Sequence, residues 1–179
     1  MTIHSFQEYI KYQWKAMTRH GVHSPFVYEF IEKIIQKKSP TSFDSKSFIL
    51  IPADKKNIQI EKQIASCYLN ILGKVIAQYE YSKLLAVSDD NEEDGLQCDL
   101  LILSAEPKVW IRLFNRYQPL LSQGGCIVIT GIHKTHRCTG KWNRICNHPK
   151  VKMSIDLYGI GLLFFRDEFR EKQKFVLRH

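Results

Sequence analysis

Five side chains of the kinds that bind zinc lie within sixteen residues of the C-terminal half of the chain. They supply nitrogen and sulfur, and they are His133, His136, Cys138, Cys146 and His148. Four such ligands at suitable distances make a structural zinc site. The spacing here, His-x2-His-x-Cys-x7-Cys-x-His, matches no established zinc module. We therefore expect no metal site, and the cluster is an alternative for metal analysis to test.

The other residues that could do chemistry stand apart from one another. Asp99 opens a predicted strand and Asp156 ends another, and carboxylates at strand ends can be catalytic in parallel α/β sheets. Without a neighbouring base or glycine loop, such a carboxylate is more often a cap or a surface charge. His20 and His23 lie in a loop between two predicted helices. The sequence shows no Ser/His/Asp arrangement and no phosphate-binding loop, so we expect no catalytic residue.

The net charge of +8 comes from one part of the chain. Residues 107–155 contain nine basic residues and no acidic one, whereas residues 84–106 contain seven acidic residues and no Lys or Arg. Such segregation favours an anionic partner for the basic part, such as nucleic acid, or self-association between opposite patches. The alternative is a solvated basic face, since no nucleic-acid-binding module accompanies the charge.

Length and composition predict an ordinary folded domain. The chain has 179 residues, of which 44% are hydrophobic and 25% are charged. Five cysteines without a Cys-x-x-Cys pair favour a reducing compartment over a disulfide framework. No apolar run approaches the length of a membrane span, and the N-terminus lacks the pattern of a secretory signal. We expect a soluble cytoplasmic protein with no membrane partner.

Apolar spacing predicts helices and buried strands in alternation. Ser5 and Glu8 have the spacing of a capping box, which predicts a first helix to about Arg19. Ser24 and Pro25 begin a second helix. This alternation predicts an α/β sheet that is mostly parallel, with antiparallel strands near the C-terminus. The later predicted helices cover residues 60–79, 110–121 and 141–146, and the strands cover 83–87, 99–103, 126–130, 151–157, 160–166 and 175–178.

Two parts of the chain resemble a known family. The segment His20-Gly-Val-His-Ser-Pro-Phe26 resembles the N-terminal signature of a Bacteroidetes-type family of class I S-adenosylmethionine-dependent methyltransferase-like proteins. The C-terminal third, with Ile132-His133 and Ile155-Asp-Leu157, resembles the family's closing strands. The resemblance covers about residues 1–38 and 98–178 and implies a Rossmann-like sheet. It marks four family positions that would lie near the cofactor, His20, His23, Asp99 and His133.

The middle of the chain departs from that family. Members place an acidic, glycine-rich turn after their first strand, where the backbone approaches the cofactor. Here eleven residues separate Val87 from Asp99; they include five carboxylates, and no glycine comes before Gly95. This length is too short for a crossover followed by further strands and helices. The length of the chain predicts a single domain, 1–179, and the resemblance implies that it consists of an N-terminal helical extension (1–40) and a truncated Rossmann-like core (58–179).

These observations predict a non-catalytic, methyltransferase-like protein that needs no cofactor and acts through protein–protein interaction or self-association. Loss of two strands would expose a sheet edge near Lys83–Val87. We expect either a homodimer to form through this edge or a protein partner to bind to it. One alternative is a methyltransferase that binds S-adenosylmethionine in a reduced or dimer-completed site. Another is nucleic-acid binding through the basic segment 134–152.

Overall fold

The N-terminal part of the protein is helical, as its apolar spacing predicts, but the first helix ends at Lys15, before its predicted end near Arg19. The computed structural model describes residues 3–37, 48–51, 64–88 and 97–179. Helix α1 covers Ile3–Lys15 and helix α2 covers Pro25–Phe30, and a π-helical turn, Ile31–Ile35, continues α2. The predicted capping box of Ser5 and Glu8 is wrong, because both residues lie inside α1.

In the part of the chain that the structure describes, three further helices alternate with strands. Helix α3 covers Ser66–Tyr79, α4 covers Trp110–Tyr117 and α5 covers His136–Cys146. Helix α5 begins five residues before its predicted start. The reason is a local cap: the hydroxyl of Thr135 accepts the backbone N–H of Cys138 at 3.2 Å. Among the residues that the structure describes, no helix has the length and hydrophobicity to cross a membrane.

The described residues contain seven strands, which form one sheet. In chain order they are β1 (Phe48–Ile51), β2 (Leu84–Val87), β3 (Cys98–Leu103), β4 (Leu121–Thr130), β5 (Met153–Asp156), β6 (Ile160–Phe164) and β7 (Gln173–Val176). Their order across the sheet is β1-β2-β3-β4-β6-β5-β7. Strands β1 to β4 are parallel, β6 runs antiparallel between β4 and β5, and β7 is parallel to β5. The predicted α/β class with a mostly parallel sheet is confirmed, and this topology is compatible with a Rossmann-like fold.

Both faces of the sheet are covered by helices. In β3, Leu100 and Ile102 pack in the same core as α2 and α3, whereas Leu101 and Leu103 pack with α4 and α5. All four side chains are fully buried. This alternation explains why the strand is a continuous apolar run, since each face of a doubly covered sheet needs apolar side chains.

The prediction of an exposed sheet edge at Lys83–Val87 is wrong. Strand β2 pairs with β1 on one side and with β3 on the other, so it lies inside the sheet. Strand β1 comes from the segment between the two predicted parts of the domain, 1–40 and 58–179. Its sequence, Phe48-Ile-Leu-Ile51, is a short apolar run that is equally compatible with a strand or with a buried helical turn.

The connection between β2 and β3 is short for a parallel pair. Ten residues, 88–97, join Val87 to Cys98, although the two strands are parallel neighbours. A crossover that contains a helix takes a dozen residues or more. The predicted acidic loop and the predicted helix start at residue 60 lie outside the described residues.

Candidate functional site

Two cavities adjoin at the edge of the sheet where β3 and β4 end. The smaller one measures about 270 Å³ and lies between the start of α3, the end of β4 and the turn between β5 and β6. The larger one measures about 680 Å³ and lies beside the starts of α4 and α5. Thr130, Gly131 and Lys134 line both cavities. Open α/β sheets bind ligands at this edge, and we call the smaller space the β4 cavity.

His133 lies in the wall of the β4 cavity and joins three parts of the fold. Its Nε2 donates to Oδ2 of Asp156 at 2.7 Å, and its Nδ1 is hydrogen-bonded to the hydroxyl of Thr139 at 3.2 Å. The Tyr158 ring stacks on the imidazole, with the ring centroids 5.6 Å apart. His133 and Asp156 are each only 8% exposed. Both ring nitrogens of His133 therefore have partners within the protein, which fix the orientation of the imidazole.

Asp156 belongs to this site because β5 ends at the same edge as β4. Its Oδ2 accepts from His133, and its Oδ1 accepts the backbone N–H of Tyr158 at 2.8 Å. Sequence analysis treated this carboxylate as a cap or a surface charge. The structure places it instead in a buried pair that ties β5 to the loop after β4.

Helix α1 closes one side of the site. Oε2 of Glu8 lies 3.8 Å from Nδ1 of His133, and Oε1 accepts from Nζ of Lys11 at 2.7 Å. The hydrogen bond from Lys11 lowers the pKa of Glu8, and nearby positive charge adds to this effect, while partial burial opposes it. The Tyr158 hydroxyl donates to the carbonyl of Ser5 at 2.6 Å. These contacts attach the inner face of α1 to the cavity wall.

Tyr68 presents a neutral hydroxyl to the β4 cavity. Its oxygen accepts the backbone N–H of Gly159 at 3.0 Å. Burial raises the pKa of Tyr68 to about 12, although the Gly159 hydrogen bond opposes the rise. A Cβ atom at Gly159 would lie 2.3 Å from the Tyr68 ring, so this close approach requires glycine. Tyr68 therefore keeps its phenolic proton at neutral pH.

Charged side chains of both signs line the larger cavity, where Glu106 accompanies two basic residues. Lys134 and Arg137 line it, together with Ser104, Thr130 and Thr135. Both basic side chains are exposed. The arrangement places positive charge beside the ends of β3 and β4.

Of the four predicted cofactor positions, one lies in the β4 cavity. His133 lines it, whereas Asp99 lies at the amino end of β3, on the opposite edge of the sheet. His20 is exposed in a 3-10 turn, and His23 lines a separate groove beside the start of α2. The structure therefore does not bring the four predicted positions together.

The five candidate zinc ligands are also dispersed. His133 is paired with Asp156, the His136 ring lies 5.5 Å from the ring of His4, and the His148 ring lies 5.0 Å from that of Phe114. Burial raises the pKa of the Cys146 thiol to about 12. Within the described ranges, no group of three or more His, Cys, Asp or Glu residues is placed to hold a metal ion.

Sequence reasoning missed several residues of this site, chiefly Glu8, Tyr68, Lys134, Thr139 and Tyr158. The predicted turn at Tyr158-Gly159 was the available signal for one wall of the cavity, because a turn after a strand lies at the sheet edge. Glu8 and Tyr68 come from distant helices and carry no such signal.

No protein-family model matches the chain, and no curated protein matches it either. The methyltransferase-like resemblance therefore stays a prediction.

Proposed function

We propose that this protein works by binding a second copy of itself through the outer face of α1, and that it does not transfer methyl groups. One observation carries the proposal. Phe6, Ile10 and Trp14 lie on one side of α1 and are 55%, 41% and 89% exposed. Tyr9 beside them is 39% exposed. We call these four residues the α1 stripe.

The α1 stripe faces solvent because the opposite side of the helix is attached to the protein. The Tyr12 hydroxyl donates to the carbonyl of Leu177, and Nη2 of Arg178 donates to the carbonyl of Gln13 at 3.1 Å. Together with the bond between Tyr158 and Ser5, these contacts fix the rotation of α1 about its axis. The stripe therefore cannot turn inward to bury its own apolar side chains.

Residues at positions i, i+4 and i+8 of a helix form a continuous row, here about 12 Å long. Clustered apolar side chains on a surface commonly mark a binding site, and Trp is enriched among the residues that dominate binding energy. A twofold axis would place the same stripe on both partners, so each stripe would cover the other. These side chains are already partly covered, so burial of their remaining surface contributes about 3–5 kcal/mol per copy, or about 6–10 kcal/mol for the pair. The loss of freedom on association costs at least about 4 kcal/mol, so we expect a weak dimer with a Kd on the order of 100 μM.

Two features weigh against methyl transfer. The ten-residue connection from β2 to β3 is too short for the strand–helix–strand unit that binds a nucleotide-like cofactor. His133, at the carboxyl edge of the sheet, has partners on both ring nitrogens. Calorimetry with S-adenosylmethionine tests this alternative. We expect no heat of binding, and saturable micromolar binding would contradict the non-catalytic assignment.

Self-association is tested by light scattering coupled to size exclusion between about 10 and 500 μM, with intrinsic fluorescence as a second readout. Trp14 is exposed, whereas Trp110 and Trp142 are 1% and 3% exposed, so an external quencher reports mainly on Trp14. We expect the average mass to rise toward a dimer and the quenching of Trp14 to fall with concentration.

The double variant Phe6→Ser, Trp14→Ser should remain monomeric throughout this range. The matched control is Lys15→Ser, which changes an exposed residue of the same helix and should dimerise as the wild type does. A wild-type protein that stays monomeric at 500 μM contradicts the proposal. So does a dimer that survives the double substitution.

A second candidate function is binding to a polyanion such as nucleic acid. It is favoured by the position of α4 and α5, which pack on the same face of the sheet and present basic side chains on their outer side. Arg112, Arg137 and Arg144 are exposed, and Arg116 and Lys141 are partly exposed. The two helices themselves contain no acidic residue.

Mobility-shift experiments at 50 and 200 mM salt test this second function. Binding through phosphates should weaken steeply with salt, and the double variant Arg137→Ala, Arg144→Ala should bind more weakly. Lys33→Ala is the matched control, because Lys33 lies on the opposite face of the sheet in the turn after α2. The absence of any shift at 50 mM salt would contradict polyanion binding.

A further inference from the structure

We propose that the β4 cavity binds a small organic carboxylate with an apolar body. The inference is independent of self-association, because the cavity lies on the inner side of α1 and the α1 stripe lies on the outer side. The cavity volume of about 270 Å³ is close to the lower end of the range for ligand sites. It offers room for about nine water-sized groups at about 30 Å³ each.

The apolar part of the cavity consists of aliphatic side chains on two sides. Ile64 and Ala65 come from the loop before α3, and Ile160 comes from the start of β6. Ile64 and Ile160 are 4% and 1% exposed, so their positions are fixed by the core around them. Ligand sites combine such apolar walls with a few placed polar groups.

The polar part of the cavity has donors suited to one anionic group. Tyr68 accepts the N–H of Gly159, and among the described residues no acceptor for the Tyr68 phenolic proton is seen, so this proton is available to a ligand. Lys134 lines the rim and supplies a positive charge. A carboxylate accepts hydrogen bonds from both groups, and charge-assisted hydrogen bonds are the stronger kind.

The remaining polar groups of the wall are committed to the fold. His133 bonds Asp156 and Thr139, and the Tyr158 hydroxyl donates to the carbonyl of Ser5. They therefore shape the cavity without competing for the ligand.

The two carboxylates near the wall, Asp156 and Glu8, are paired with His133 and Lys11. The cation of Lys134 and the neutral phenol of Tyr68 therefore suit a monoanion, and Lys134 would repel a cationic ligand. These properties select a monocarboxylate over a dianionic phosphate or an amine.

The test compares benzoate with benzamide, its neutral counterpart of the same size, by two-dimensional NMR titration of the full chain. We expect benzoate to shift the backbone signals of Gly131, Gly159 and Ile160 in a saturable way, and benzamide to bind at least about tenfold more weakly. Inorganic phosphate forms a third arm and should bind more weakly than benzoate.

Two variants assign the carboxylate contacts. Tyr68→Phe keeps the ring packing but removes the donor, so benzoate affinity should fall about tenfold. Lys134→Met should lower it at least about threefold, whereas Lys150→Met, an exposed lysine outside the cavity, should change nothing. Phe6→Ser, Trp14→Ser should bind benzoate as the wild type does, which separates this inference from the proposed dimer.

Several outcomes would overturn the inference. They are the absence of saturable shifts with benzoate, equal binding of benzoate and benzamide, and unchanged benzoate affinity in a folded Tyr68→Phe protein. Tighter binding of phosphate than of benzoate at the same residues would also reject the monocarboxylate assignment. The amide spectrum of each variant, recorded without ligand, shows whether it is folded.

Discussion

Replacement of Asp99 by Asn tests whether one carboxylate holds the amino ends of three strands together. Its Oδ2 accepts the backbone N–H groups of Lys83 and Ser82 at 2.9 and 3.0 Å and the Ser82 hydroxyl at 3.1 Å. Its Oδ1 accepts the hydroxyl of Ser122. Asp99 thus connects its own strand, β3, to the residues before β2 and to β4.

The size of the effect follows from the pKa of this carboxyl. Partial burial alone would raise the pKa of Asp99, but the hydrogen bonds from Ser122, Lys83 and Ser82 outweigh it and lower the pKa from 3.8 to about 2. A difference of this size corresponds to about 2 kcal/mol before solvent screening. Because Asp99 is partly exposed, solvent screening reduces the expected contribution to about 1–2 kcal/mol.

The direction of the pKa shift determines how the stability contributed by Asp99 changes with pH. The pKa is lower in the folded state than in the unfolded state, so the stabilisation is present above about pH 4 and is lost as the pH falls toward 2. We expect Asp99→Asn to lower the free energy of unfolding by about 1–2 kcal/mol at pH 6. The difference in the free energy of unfolding between wild type and variant should become smaller between pH 4 and pH 3.

Urea denaturation followed by circular dichroism at pH 6, 5, 4 and 3 measures this gap. Asp167→Asn is the matched control, because Asp167 is exposed in the loop after β6 and should show little difference at any pH. A gap that is the same at pH 6 and pH 3 would refute the assignment to the Asp99 carboxylate. Equal stability of the two proteins at pH 6 would refute it as well.

Three further predictions concern packing and cysteine burial. Gly161→Ala should destabilise the protein by about 1–3 kcal/mol in urea denaturation, because the added Cβ would lie 2.4 Å from the Trp142 ring; wild-type stability would contradict this close contact. Gly140→Ala should instead raise the stability by about 0.5–1 kcal/mol, because the site in α5 is helical and an added Cβ meets no atom within 4 Å; a loss of stability would be the contrary result. A thiol reagent at pH 8 should modify only Cys67 rapidly in the native protein, because the other four cysteines are buried, and all five in urea; rapid native labelling of a second cysteine would count against this burial.

Local apolar spacing was sufficient to predict most helices and strands. The apolar run at 100–103 and the helical repeats in α2, α3 and α4 are patterns within short segments, so they can be recognised without knowledge of distant residues. The alternation of these elements likewise predicted the α/β class. The start of α5 was missed because its cap, Thr135, precedes a polar first turn without apolar periodicity.

Contacts between distant segments were decided only by the tertiary structure. Pairing of β1 with β2 contradicts the predicted edge, because strand order depends on which apolar runs meet across the sheet and not on either run alone. The His133–Asp156 pair joins residues 23 positions apart, and Glu8 approaches it from the N-terminal helix. Residue spacing along the chain carries no information about such long-range contacts.

Within helix α1, some features follow from the local sequence and others from contacts with distant segments. Its sequence by itself determined an amphipathic helix, since Phe6, Ile10 and Trp14 recur every four residues. Only the tertiary structure decided which side is covered. The polar groups of Ser5, Tyr12 and Gln13 bond to the C-terminal segment and to the turn after β5, and this leaves the apolar stripe facing outward. The hydrogen bonds that orient the helix are long-range, and therefore the exposure of the α1 stripe is a property of the fold.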